Sequence, residues 1–136
     1  MSNRPTIADL RAFKGKRQLS MLRVETLEEA EAAERAGIDL ISVPPALVAQ
    51  RSFRDAAPNC FAISGLEYGD FVTTEDYLRA AFKMMRAGAD AVYCAAGMKA
   101  VRSLRDDAHP VGRQSSLIPA QAGNPCALTT QGTFQR

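Results

Sequence analysis

Side chains able to do chemistry gather at a few places in this chain. Glu67, Tyr68 and Asp70 follow a short apolar run, Tyr93 and Cys94 close another, and Ser42 lies near the end of a third. Two carboxylates beyond a strand could hold a hard divalent cation, and a thiol could act as a nucleophile beside a base. Plainer roles compete with both. Acidic loop residues are usually solvated, and an unpaired cysteine is usually an inert core residue, so no metal site is expected and catalytic residues are unknown. Ser42, Glu67, Asp70, Tyr93 and Cys94 stand as pocket candidates. Cys60, Cys94 and Cys126 are odd in number and far apart, and His109 is the single histidine, so neither a disulfide framework nor a zinc site is indicated.

These residues need elements to position them. Ile7, Leu10 and Phe13 share one side of a short helix that ends near Gly15. A first strand is expected within 18–24. Thr26 followed by Glu29 has the capping-box pattern, starting a helix with Leu27, Ala30 and Ala33 inward and a Glu31–Arg35 pair outward. The phrase Arg-Ala-Gly-x-Asp then occurs twice, at 35–39 and at 86–90, each time followed by an apolar run suited to a buried strand, 40–43 and 91–94. Another strand is expected at 60–64. After Thr74 a helix carries Leu78, Ala81, Phe82 and Met85 on one stripe. Pro44 and Pro45 are expected to stiffen a loop.

Four strands separated by helices or long loops describe parallel βα units in sequential order. The fold class is therefore α/β. A complete barrel of eight such units takes about 250 residues, so 136 residues with four strands make a partial (β/α)₈ TIM barrel, here residues 1–111. Residues 112–136 lack any acidic side chain and break every apolar run with Gly, Pro, Ser or Thr. They are expected to form an irregular tail, disordered or translated from a shifted frame.

The net charge of +2 comes from mixed signs and offers no basic stripe for nucleic acid. No leader or membrane span is visible, which makes the cytoplasm the default location. Half a barrel should also leave open strand edges and a bare inner apolar face, including 40–43 and 61–63, favouring self-association or aggregation.

Residues 6–111 resemble the first half of the ketopantoate hydroxymethyltransferase (3-methyl-2-oxobutanoate hydroxymethyltransferase) family. The resemblance rests on Ala36-Gly37-Ile38-Asp39, Ala57-Pro58-Asn59-Cys60 and Met85-Arg86-Ala87-Gly88-Ala89-Asp90-Ala91-Val92, each with its strand. It implies hydroxymethyl transfer from 5,10-methylenetetrahydrofolate to 3-methyl-2-oxobutanoate, a step of pantothenate biosynthesis, with Mg²⁺ polarising the 2-keto acid. The family's strand 2 ends in Gly-Asp-Ser, its Asp binding metal, where this chain has Pro44, Pro45 and Ala46. Its second metal-binding Asp, after strand 3, corresponds to Gly65. Its Val-Lys-x-Glu-Gly-Gly run corresponds to 92–97, which puts Tyr93 and Ala95 in place of Lys and Glu. Of Pro-Val-x-Gly-His-x-Gly-Leu-x-Pro, Pro110-Val111 and Leu117-Ile118-Pro119 survive, with Arg113, Gln114 and Ser115 around the place of His.

The family positions thus fall on Pro45, Gly65, Tyr93 and Ala95, which lack the chemistry. Tyr93 either hydrogen-bonds a keto acid or fills the space of the missing Lys. A hydroxymethyltransferase-like protein without activity is expected, needing no cofactor and retaining a 2-keto acid as its possible ligand. The alternatives are a divergent keto-acid lyase of the phosphoenolpyruvate/pyruvate barrel class and a non-catalytic partner protein.

Overall fold

The computed structural model describes residues 4–66, 69–94 and 98–107. The element order is α1 (Ile7–Phe13), β1 (Met21–Arg23), α2 (Leu27–Arg35), β2 (Leu40–Val43), α3 (Pro45–Val48), α4 (Phe53–Ala56), β3 (Phe61–Leu66), α5 (Thr74–Ala87), β4 (Ala91–Cys94) and α6 (Met98–Asp107). The four strands form one sheet in the order β1-β2-β3-β4, every neighbouring pair parallel. That is the order expected of consecutive βα units, and the chain is α/β with the architecture of a partial barrel. The tail 112–136, His109 and Cys126 lie outside the described residues. Among the described residues no helix is long and apolar enough to cross a membrane.

Alternation along the strands divides the core in two. One face carries Ile41, Val43, Ala62, Leu66, Val92 and Cys94, packed under helices α2 to α6 through Ala30, Ala33, Leu47, Phe53, Ala81 and Leu104. The other carries Leu40, Phe61, Ile63 and Ala91, covered by Leu10 of α1 with Ile7 and Phe13 beside it. Here the sequence expectation needs correcting. The inner apolar face does not lie bare, because α1 seats on it and leaves Phe61 and Ile63 1% exposed. Exposed apolar surface remains on β1, at Met21 and Leu22.

The repeated Arg-Ala-Gly-x-Asp phrase has a physical cause. Each glycine adopts a positive φ, 71° at Gly37 and 118° at Gly88, which ends the helix and turns the chain toward the sheet. Each aspartate then takes a backbone N–H from the strand before it. Asp39 Oδ2 accepts from Ser20 N at 2.9 Å, and Asp90 Oδ2 accepts from Ala62 N at 2.8 Å. Arg17 pairs with Asp39, and Arg54 and Arg4 pair with Asp90 at 2.6 and 3.2 Å. The backbone donors of Ser20, just before β1, and of Ala62 in β3 are thereby satisfied.

Glu34 does the same for the segment entering β3, accepting from the N–H groups of Asn59 and Cys60, both at 2.9 Å, and from Asn59 Nδ2 at 2.7 Å. Burial acts to raise the Glu34 carboxyl, but these hydrogen bonds outweigh it and hold the group below its ordinary value of 4.5. A depressed carboxyl stabilises the fold above its unfolded pKa, and the contribution is lost as pH falls through the lower folded value. Glu34→Gln should therefore be less stable at pH 7 and show a shallower loss of stability below about pH 4.5. Urea midpoints measured from pH 3 to 7 check this, and parallel curves for the two proteins would contradict it.

Local details depart from the sequence expectations. Thr26 Oγ1 accepts from Glu29 N as expected, yet Glu29 reaches past the cap to the N–H of Glu25 at 2.7 Å. The reciprocal capping boxes are at Thr6–Asp9 and Thr73–Asp76. Pro44 is the extended N-cap and Pro45 opens α3, where a missing N–H costs nothing, so the second proline starts a helix rather than stiffening a loop. On α5 the buried residues are Ala81 and Met84, while Phe82 is 55% exposed with Arg86 over its ring. The helix turns Ala81 and Met84 to the core, with Tyr77, Leu78 and Met85 partly buried beside them.

Candidate functional site

Chemistry in parallel βα folds concentrates at the C-terminal ends of strands. On the α1 face those ends carry Arg23 from β1, Ser42 from β2, Gly65 from β3 and Tyr93 from β4. Arg23 and Ser42 are register partners, as are Gly65 and Tyr93. Below them Leu40, Phe61, Ile63 and Ala91 form an apolar floor sealed by α1. A polar layer thus stands on a dry one.

Arg23 organises the polar layer. Its Nε donates to Glu25 Oε1 at 2.7 Å, and its Nη1 donates to Tyr93 Oη at 3.3 Å and to Ser42 Oγ at 3.4 Å. The hydrogen bond to Glu25 raises the arginine above its ordinary value, burial works against it, and Tyr93 adds to the rise. The guanidinium is a permanent cation. The Arg23–Tyr93 contact also reports the shape of the sheet. β1 and β4 are three strand spacings apart, roughly 14 Å on a flat sheet, and side chains stand nearly perpendicular to a sheet. Their tips meet because the sheet curls toward the α1 face, as a barrel wall does.

Gly65 makes room for this arrangement. A Cβ there would lie 2.9 Å from Tyr93 Oη and 3.0 Å from its Cζ, closer than carbon side chains approach. Tyr93 therefore occupies space that any side chain at 65 would need. Gly65 and Tyr93 are thus sterically linked.

The pocket candidates do not all converge. Ser42, 5% exposed, and Tyr93, half-buried, share the layer with Arg23. Cys94 points the other way, into the helix-covered core. Asp70 is exposed and lies apart, on a cleft of about 520 Å³ between α3 and α5 that includes Pro45, Leu66, Phe71 and Lys83. Glu67 and Ala95 lie outside the described residues. Cys60, at the opposite end of the sheet, donates to Ile38 O at 3.2 Å, and burial, then Glu34, push its thiol up to about 12, so it is inert at neutral pH. Arg23 was missed in the sequence. Its only sign there is a basic residue inside a short apolar strand.

A divalent cation does not fit the described residues. Pro45 and Gly65 offer it no oxygen from a side chain, and Arg23 puts a positive charge into the layer. Among the described residues no group of three or more His, Cys, Asp or Glu side chains could hold a metal.

No family model matches the chain. It is 30% identical over 129 residues to a protein of Kosmotoga olearia named 3-methyl-2-oxobutanoate hydroxymethyltransferase, an alignment covering 78% of this chain and 48% of that protein. The chain spans about half the length of this relative.

Proposed function

We propose that this chain is a divergent relative of the 3-methyl-2-oxobutanoate hydroxymethyltransferases that does not carry out metal-dependent enolisation of a keto acid. The observation that supports this most is the Tyr93 ring seated over Gly65. Removing the C3 proton of the keto acid leaves an enolate, which needs a hard cation or an equivalent electrophile held on fixed oxygens, and a base within reach of the proton. At the described strand ends a phenol and a guanidinium stand instead. The keto-acid lyase alternative asks for the same enolate and meets the same lack of a carboxylate-held cation among the described residues.

Exchange of the C3 proton of 3-methyl-2-oxobutanoate tests the proposal. In deuterated buffer with Mg²⁺, proton NMR should show the signal persisting at the rate of the protein-free control. Mg²⁺-dependent loss of that signal, abolished by Glu67→Ala or Asp70→Ala, would overturn it.

A further inference from the structure

We propose that Arg23, Ser42 and Tyr93 form a metal-free binding site for a small carboxylate at the C-terminal ends of β1, β2 and β4. The direction of the hydrogen bonds carries the inference. A guanidinium only donates, so Tyr93 Oη and Ser42 Oγ are both acceptors from Arg23 Nη1. Each hydroxyl is left with its own proton to give elsewhere. Arg23 Nη2 makes no hydrogen bond to a described residue, and Glu25 takes Nε alone. The layer is therefore rich in outward donors, its cation shared with Glu25 at the exposed rim, and donors without a protein acceptor suit an acceptor-only anion.

Its surroundings strengthen the same preference. The apolar floor of Leu40, Phe61 and Ile63 keeps water from one side, so a charge-assisted hydrogen bond at this height is worth more than one on an open surface. Arg23 is half exposed, its side chain at 46%, and so remains open to a ligand. With Nε and Nη1 engaged, the site offers Nη2 and two flanking hydroxyls, donors that the two oxygens of one small carboxylate can satisfy. Gly65 belongs to the site as a positioning residue, because the hydroxyl of Tyr93 stands where it does only while position 65 has no Cβ. The site goes beyond the proposal above: it concerns binding without chemistry.

Titration of the full chain with sodium acetate, and separately with inorganic phosphate, in the presence of EDTA tests it, read from the Arg23 Nε–H resonance in ¹H–¹⁵N NMR. Acetate should give a saturable shift that EDTA and added Mg²⁺ leave unchanged. For Arg23→Gln the titration is followed at the backbone N–H resonances of Ser42 and Tyr93, and there the saturable shift should vanish. Arg23→Lys should weaken binding about tenfold, since one ammonium cannot hold Glu25, Tyr93 and Ser42 and still present a donor to the ligand. Tyr93→Phe and Gly65→Ala should weaken it by similar factors while circular dichroism stays that of the parent. Acetate binding that survives in Arg23→Gln, binding that requires Mg²⁺, or phosphate binding tenfold tighter than acetate would each overturn the assignment. None of these outcomes bears on proton exchange, so the two proposals fail separately.

Discussion

Replacing Arg54 with alanine is expected to lower the free energy of unfolding by about 3 kcal/mol, a large share of what a small domain has. Arg54 leaves α4 and joins three segments. Its Nε donates to Gly88 O at 2.6 Å, Nη2 donates to Gly88 O and to Asp90 Oδ2, and Nη1 donates to the carbonyls of Ala57 and Cys60 at 3.2 and 3.0 Å. The side chain is 21% exposed, so these acceptors depend on it rather than on water. Burial pulls the arginine below its ordinary value, and Asp90 opposes that pull. Removing the guanidinium leaves three carbonyls with weakened or missing partners and Asp90 with Arg4 as its remaining cation. Arg54→Lys should recover less than half of the loss, because an ammonium cannot span the same acceptors. Urea denaturation with an unchanged slope is the measurement. A shift below about 1 kcal/mol would show that water replaces the guanidinium.

The second large effect separates the two copies of the repeated phrase. Gly37→Ala should cost about 1 kcal/mol, the usual strain of a left-handed alanine, because its φ of 71° lies in the ordinary left-handed region and an added Cβ meets nothing within 4 Å. Gly88→Ala should cost roughly 3 kcal/mol. Its φ of 118° lies well outside that region, and its Cβ would stand 3.1 Å from Arg54 Cγ, pushing away the side chain that holds the Gly88 carbonyl. Strain and lost hydrogen bonds share one cause, so Arg54→Ala combined with Gly88→Ala should fall short of the sum of the two. Thermal or urea unfolding of the parent and the four variants gives the comparison. Equal costs at 37 and 88 would mean that Arg54 yields without losing its acceptors.

Much of the fold could be read from the chain because its signals are local. Glycine, aspartate and an apolar run sit next to each other in both repeats, and the geometry they dictate is complete within a few residues. The strand order follows from the same units. Helices α3, α4 and α6 were not legible at that level: the first two span four residues each, too short for any periodicity to show. Phe82 fitted an apolar stripe that Tyr77, Ala81 and Met84 fit equally well, and periodicity alone does not choose between them. The site was hidden for a further reason. Arg23 and Tyr93 are distant in sequence and on opposite edges of the sheet, and only its curl brings them together. The position of Cys94 was open to inference, since alternation from Tyr93 places it on the other face.

The seat of α1 has a consequence for the order of assembly. Leu10 shares its cluster with Leu40 of β2, Phe61 and Ile63 of β3 and Ala91 of β4, and Arg4 reaches Asp90, so the seat of α1 is complete only when β4, made much later at residues 91–94, is in place. During N-to-C synthesis its apolar stripe lacks part of its cover until β4 has emerged. Contacts this distant along the chain also make closure slow, because the loop entropy comes before the reward. A protease that cuts between α1 and β1 should therefore attack nascent chains lacking β4 far faster than the finished protein, and chains arrested just before and just after β4 would show the change.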